Sequence, residues 1–330
     1  MVERKLVRAA VIGAGNIGRH HVRAYAQLPG VELVAVADIN PGRRLAADRH
    51  GVPFYRDFRE MLARHAVDAV SIAVPAPVRF PIAAYALQAG VHTLVEKPIA
   101  ETPHEADRLI ESAARHGVVF TAGHVERYNP VVTRLGELIR GGDIGQVLSV
   151  VCKRVGGFPA IEPQTDVIVD LAVHDIDIIS ALLGQAPRVI GSHVSRTFHP
   201  DKADSAEILL GFEGASGFIQ ANWITPVKIR TIAVTGSRGY VEANYITQEI
   251  RVYEHSSPHT GAGFEGFVAK LGEPRSRVEM IEKSEPLVNE LEAFARAVRT
   301  GDAGGVMSPE EAKRALEVAL EATRELTPAF

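Results

Sequence analysis

In Asp170-Leu171-Ala172-Val173-His174-Asp175-Ile176-Asp177 an imidazole stands four residues after one carboxylate and three before another. On a helix, residues three and four apart share a face. A carboxylate beside an imidazole raises its basicity, which suits proton transfer near neutral pH. Asp170 and His174 are therefore the candidate acid–base pair, with Asp177 near the same face. The surrounding Val167, Ile168, Val169, Leu171, Ile178, Ile179 and Leu182 are apolar. The charged face is thus turned toward something other than bulk core. A solvated acidic face is one alternative. A divalent ion held by two carboxylates and one imidazole is another, but no second histidine stands at a matching offset, so no metal is expected.

Lys97 is the next candidate, in Val95-Glu96-Lys97-Pro98. The proline restricts the backbone before it, and an X–Pro bond can be cis, which aims the preceding side chain differently. A lysine fixed in this way can hold a hydroxyl or share its proton; the alternative is a surface lysine paired with Glu96. A further cluster is Gly123-His124-Val125-Glu126-Arg127-Tyr128-Asn129-Pro130, with Lys153-Arg154 beyond it. Arg127, Asn129 and Arg154 offer donors to hydroxyls or phosphate oxygens. Salt bridging at a domain junction is the competing use. His20, His65 and His193 have no informative spacing.

The elements that must position these groups begin with Gly13-Ala14-Gly15-Asn16-Ile17-Gly18. An apolar strand, Leu6 to Ile12, precedes it and a helix, Asn16 to Leu28, follows. Gly13 permits the tight turn, Gly15 lets backbone approach a pyrophosphate, and Gly18 lets the helix pack on the sheet. The helix N-terminus offers unpaired N–H groups to the anion. The second strand, Glu32 to Ala37, ends at Asp38, and 38 − 18 places that acid twenty residues past the last glycine. A carboxylate there suits the ribose hydroxyls of NAD and opposes a 2′-phosphate. Arg43 and Arg44 keep NADP open.

Strand and helix alternate up to Ala122: a helix from Pro41 to His50, a strand from Asp68 to Val74 stopped by Pro75-Ala76-Pro77, a helix from Phe80 to Ala89, and a strand from Val91 to Val95. A helix from Thr102 to His116, capped by Thr102, and a strand from Val118 to Ala122 complete the pattern. It predicts a doubly wound parallel sheet, whose ligand lies outside the carboxyl ends of the strands. Gly13–Gly18, Asp38, Pro75, Glu96–Pro98 and Gly123-His124 should share that edge. The expected cofactor contacts are Gly13, Gly15, Asn16, Ile17, Gly18, Asp38, Pro75, Glu96 and Lys97.

After Ala122 the pattern changes. Val131 to Arg140 and Val167 to Leu183 read as helices, and Val147 to Val155 as a strand. Several strands follow between Pro187 and Tyr253 without long helices between them. This predicts a mostly antiparallel sheet. Ser256 to Lys283 reads as an extended loop. Two helices close the chain, Leu287 to Arg299 and Pro309 to Arg324, the second capped by Ser308. The domains expected are residues 1–122, dinucleotide-binding, and residues 123–330, substrate-binding and oligomerising.

The chain has 330 residues, 46% hydrophobic and 23% charged, room for two globular domains. A net charge of −4 gives no case for nucleic-acid steering. Cys152 is the single cysteine, which excludes an intrachain disulfide and fits a reducing cytoplasm. The apolar run near the N-terminus is shorter than a signal-peptide core, and no run approaches a membrane span.

Taken together, the glycine loop, Asp38, Glu96-Lys97-Pro98 and Asp170 with His174 resemble the glucose–fructose oxidoreductase/inositol dehydrogenase/MocA (Gfo/Idh/MocA) family. The resemblance extends over essentially the whole chain, including Pro286-Leu287-Val288-Asn289-Glu290-Leu291. It implies an α/β protein: an N-terminal Rossmann domain, then a C-terminal α/β domain on an open, mostly antiparallel sheet that makes a homodimer or homotetramer. It also implies NAD(P)-dependent oxidation or reduction of a secondary hydroxyl of a sugar, inositol or nucleotide sugar. Lys97 becomes the substrate-orienting or proton-sharing lysine, His174 the general acid/base, and Asp170 the residue positioning substrate and imidazole. The stretches around Arg127 and His174 look like the branch acting on the 3-hydroxyl of UDP-N-acetylglucosamine. Arg127 and Arg154 would then face its diphosphate, whereas Asn129 and Asp177 would serve a free polyol. An inositol or simple-sugar dehydrogenase, and a non-enzymatic NAD-binding regulator, are the alternatives. The chain departs from the family in Gln164-Thr165-Asp166, where a glycine-rich step is common, and in Ala76-Pro77-Val78-Arg79-Phe80, where a polar segment ending in His is common.

Overall fold

The computed structural model describes residues 6–159, 163, 165–254 and 275–324. Most of the expected loop over Ser256 to Lys283, and Gln164 in the departing step, lie outside the described residues. The chain divides into two compact units. One runs to Tyr128 and includes Ser284–Glu317; the other is Asn129–Lys283 with the stretch from Val318 onward.

The first unit is built on six strands: β1 (Val7–Ile12), β2 (Val31–Ala37), β3 (Phe54–Tyr55), β4 (Ala69–Ile72), β5 (His92–Glu96) and β6 (Phe120–Gly123). Their order is β3-β2-β1-β4-β5-β6, every pairing parallel. Strands β1 and β4 are buried almost throughout. That is why they read as unbroken apolar runs rather than alternating ones. The order reverses between β1 and β4, which opens a crevice at their carboxyl ends. The helices are α1 (Gly18–Gln27), α2 (Leu45–Asp48), α3 (Phe58–Arg64), α4 (Ala76–Gln88) and α5 (Pro103–His116). Thr102 caps α5, its hydroxyl accepting the Glu105 N–H at 3.2 Å.

Several local expectations change. Pro41 to His50 is a 3₁₀ turn, Pro41–Arg43, followed by the single-turn α2. The pair β3 and α3 has no counterpart in the sequence reading, because two residues and seven are too short to show a period. Helix α4 starts at Ala76 rather than Phe80. Pro77 falls in its first turn, where a missing N–H costs nothing.

The second unit carries β7 (Val147–Val155), β8 (Arg188–Ser195), β9 (Ser205–Phe212), β10 (Ala215–Asn222), β11 (Ile229–Gly236), β12 (Gly239–Asn244), β13 (Glu249–Glu254) and β14 (Ser276–Glu279). They form one sheet in the order β14-β13-β12-β11-β7-β10-β9-β8. All pairings are antiparallel except β7 with β10. Along β7, buried Val150, Cys152 and Arg154 alternate with exposed Val151 and Lys153, so one face of the sheet is covered and the other open. The helices α6 (Pro130–Arg140) and α7 (Val173–Leu183) belong to this unit.

The closing helices are α8 (Pro286–Thr300) and α9 (Pro309–Ala322). Ser308 and Glu311 form a reciprocal cap at the start of α9: each backbone N–H donates to the other's side chain. Helix α8 was expected in the second domain. Instead its Leu291 and Phe294 are fully buried in the core formed by β1, α1 and β2. Sequence distance concealed this, since an amphipathic helix does not say which face it covers. Phe294→Ala should therefore cost the first unit about 3–5 kcal/mol, the usual range for a buried Phe. Denaturant unfolding of the purified protein checks this, and a loss below about 1 kcal/mol would contradict the placement.

Candidate active site

The glycine loop follows β1, and each glycine has a different steric reason. Gly13 has φ +91°, and a Cβ there would lie 2.5 Å from the Ala73 carbonyl oxygen. A Cβ on Gly18 would lie 1.8 Å from the Gly13 carbonyl oxygen. Around the Cβ position of Gly15 nothing lies within 4 Å, so the backbone is open to a ligand there. Asn16 and Ile17 are exposed beside it. Ile17 precedes α1 without a side-chain cap, and the Arg19 and His20 N–H groups donate to the Gly15 and Ile17 carbonyls at 3.2 and 2.8 Å.

Asp38 is held by two backbone donors: Ala14 N–H to Oδ2 at 2.7 Å and Asn40 N–H to Oδ1 at 2.8 Å. Its carboxylate thus faces a cavity of about 450 Å³ bounded by Gly13, Gly15, Asn40, Arg43, Arg56, Phe58, Pro75 and Val78. Open backbone at Gly15, the N-terminus of α1 and a fixed carboxylate fit the pyrophosphate and ribose of a dinucleotide. Arg44 pairs with Asp48 at 3.3 Å, whereas Arg43 lines the cavity. The sequence reading missed Arg56 and Phe58. The available signal was Asp57, which caps α3 by accepting the Arg59 N–H at 2.8 Å.

Lys97 stands at the end of β5, and its bond to Pro98 is cis. Its own N–H donates to Glu96 Oε2 at 3.2 Å. The other carboxylate oxygen, Oε1, is 3.0 Å from Nε2 of His21 on α1. Burial pushes the Glu96 carboxyl upward, but the His21 hydrogen bond and the charges of His21, Lys97 and Arg79 outweigh it and hold it below the usual range. Gly123 on β6 leaves room for this group, since a Cβ there would stand 3.2 Å from Glu96 Oε1. The Glu96 carboxylate is thus engaged with His21, which the pairing read from sequence did not include.

The second unit carries the acid–base candidates. The continuous helix expected from Val167 is a π turn, Ile168–Ala172, leading into α7. Asp170 lies in the wider turn and His174 in the first turn of α7, so their spacing of four is not that of a uniform α-helix. Asp170 is half-buried. His174, Asp175 and Asp177 are 8%, 1% and 2% exposed. The solvated-face alternative is overturned. Asp175 binds Arg154 of β7 through two hydrogen bonds, 2.9 and 2.8 Å, with both side chains almost fully buried. The Arg154 guanidinium also lies 5.0 Å from the Tyr245 ring centroid. Burial raises the Cys152 thiol well above its usual range, so this cysteine is a core residue.

The residues read as substrate contacts have local partners. Asn129 caps α6, its Oδ1 accepting the Val131 N–H at 3.3 Å while Nδ2 donates to the Tyr245 carbonyl at 3.2 Å. In the first unit, Arg127 binds Glu311 through both terminal nitrogens at 3.1 and 3.3 Å. Burial raises the Glu311 carboxyl, but Arg127 and the Ser308 donors bring it below the usual range. Among the described residues no group of three or more His, Cys, Asp or Glu could hold a metal ion, and no helix is long and apolar enough to cross a membrane.

Residues 7–124 match the family model for an oxidoreductase family with an NAD-binding Rossmann fold, and residues 132–242 match the Gfo/Idh/MocA C-terminal domain. The UDP-N-acetylglucosamine 3-dehydrogenase of Acidithiobacillus ferrooxidans is 31% identical over 296 residues, 88% of each chain. A solved structure of that enzyme superposes with a TM-score of 0.83 at 28% identity, covering 95% of both chains. Inositol 2-dehydrogenase of Salmonella typhimurium is 30% identical over 196 residues, 58% of each chain. With its glycine loop, parallel strand order and open C-terminal sheet, the chain belongs to the Gfo/Idh/MocA family and is a dehydrogenase acting on CH–OH groups.

Proposed function

We propose that this dehydrogenase oxidises a nucleotide sugar, first the 3-hydroxyl of UDP-N-acetylglucosamine, with NAD. The observation that carries the reading is the 31% identity to the Acidithiobacillus enzyme across 88% of both chains. When bound, the nicotinamide supplies the acceptor for the hydrogen and two electrons leaving the carbon. In this reading His174 takes the hydroxyl proton at a ring nitrogen, and Asp170 orients the imidazole. The Lys97 ammonium stabilises the alkoxide that forms. Asp177 and Asn129 are the proposed partners of sugar hydroxyls.

One observation favours a second reading. Arg127 and Arg154, expected to face a diphosphate, are bound to Glu311 and Asp175. A diphosphate would have to share them, whereas an inositol or simple sugar needs neither.

NAD is preferred because Asp38 keeps unused lone pairs for ribose hydroxyls and repels a 2′-phosphate. Arg43 and Arg56, on the same cavity, act in the opposite sense. A second copy of this chain is proposed to cover the open face of the C-terminal sheet, giving a homodimer or homotetramer. The register aligns Leu209, Phe218, Val151 and Ala233 in one row across β9, β10, β7 and β11, continued by Glu242, Arg251 and Val278. Leu209, Phe218, Val151 and Val278 are 36–54% exposed, and such a patch marks an association surface.

His174→Ala and Lys97→Ala should each lower kcat by 10²–10⁴-fold, the usual worth of a positioned acid/base, while NAD still binds. Unchanged turnover in either variant would contradict its role. Thermal shift with NAD plus UDP-N-acetylglucosamine, UDP or myo-inositol separates the substrate classes. The uridine compounds are expected to raise Tm; a response to inositol alone moves the assignment to the second reading. For the cofactor, NAD should bind more tightly than NADP. Asp38→Ser should narrow the gap and Arg56→Ala widen it, whereas equal Kd values in the native protein would contradict the role of Asp38. Phe218→Glu should lower the mass seen by light scattering, and an unchanged mass would rule this face out.

A further inference from the structure

We propose that Arg79 is a positioning residue for Lys97, its buried guanidinium tying the carbonyl beyond Lys97 to the wall of the dinucleotide cavity. The inference rests on the reading of Lys97 as the group that holds the alkoxide. Arg79 sits on α4 and is 5% exposed. One terminal nitrogen donates to the carbonyl of Pro98, the residue after Lys97. The other donates to the carbonyl of Val74 at 2.9 Å. Val74 and Pro75 line the dinucleotide cavity. A single cation therefore joins the end of β4, which shapes that cavity, to the end of β5, which carries Lys97.

The other side of Lys97 is gripped as well. Its N–H is taken by Glu96, which is itself anchored to His21. The Lys97 backbone is thus fixed from α1 through Glu96 and from α4 through Arg79. Burial draws the Arg79 pKa down to about 10, against the pull of Glu96 and Glu101, and the group stays charged at neutral pH. Its Nε has no acceptor among the described residues. Burying a cation costs free energy unless its hydrogen bonds compensate, and a side chain needed only to fill space would be apolar. The fork reaching two carbonyls from different strands is what an Arg supplies and a Lys, a single point of charge, cannot. In Ala76-Pro77-Val78-Arg79-Phe80, where this chain lacks a histidine, Arg79 is the polar side chain.

The test is a double-mutant cycle on the full-length enzyme. Arg79→Met, Arg79→Lys, Lys97→Ala and the double variants R79M/K97A and R79K/K97A are assayed with NAD and whichever member of the substrate panel is turned over. Arg79→Met should lower kcat on the order of 10²-fold, the effect of a small misplacement of a reacting group. Arg79→Lys should recover part of the loss. In the Lys97→Ala background neither Arg79 substitution should slow turnover by more than about twofold, because coupled residues are not additive. The pH profile of kcat should also shift in Arg79→Met, which a loss of stability alone would not produce. Losses that multiply in the double variants, or a fall in Tm with kcat unchanged, would overturn the proposal. If Arg79→Met does not fold, the Arg79→Lys arm of the cycle decides by the same criterion. Full turnover in Lys97→Ala would instead remove the reading beneath it, an outcome distinct from multiplying losses with an impaired Lys97→Ala.

Discussion

With the Gly13 carbonyl oxygen 1.8 Å from where a Cβ on residue 18 would stand, α1 can begin where it does only because that residue is glycine. Much of the first unit follows from this close approach. It sets the uncapped start of α1 at the carboxyl end of β1 and leaves the backbone at Gly15 open. It brings the Ala14 N–H to Asp38, so the end of β2 is fixed by the same turn. Farther along α1, His21 reaches Glu96, and Glu96 receives the N–H of Lys97. The loop that fits a pyrophosphate and the strand end that carries the lysine are therefore linked through one helix, and displacing that helix would disturb both.

The second unit depends on a different kind of constraint. Two opposite charges, Arg154 on β7 and Asp175 next to His174 in the chain, are buried against each other. Replacing such a pair with apolar groups can be neutral, but removing one partner typically costs 3–5 kcal/mol, since the other charge is left uncompensated. The pair therefore resists change at one end only, and it anchors the first turn of α7 to β7. This accounts for acidic residues on an otherwise apolar helix better than a solvated face does. It also explains why Arg154 is poorly suited to meeting a substrate phosphate alone: the guanidinium already has a bidentate partner and an aromatic neighbour.

What could be read from sequence was what is local. Long apolar runs flanked by helices gave β1, β2, β4 and β5, and with them a shared carboxyl edge bearing Asp38, Pro75 and Lys97. The glycine spacing is likewise a property of a few neighbouring residues. Features set by distant partners were not legible. Arg127 meets Glu311 and Arg154 meets Asp175 across 184 and 21 positions. Leu291 and Phe294 fill a core begun near residue 7. The π turn at Asp170 hides because its apolar pattern is also compatible with an α-helix. Arg56 hides because β3 and α3 are too short for a periodic signal.

Oxidation of a nucleotide sugar, the proposed reaction, breaks the carbon–hydrogen bond at its hydroxyl-bearing carbon. The direct measurement is reduced-nicotinamide absorbance with NAD and UDP-N-acetylglucosamine carrying either hydrogen or deuterium at C3, followed in a single turnover. Reduced cofactor is expected to form, and to form more slowly with deuterium. No absorbance change with the UDP-sugar, alongside clear reduction of NAD by myo-inositol, would contradict the proposed reaction.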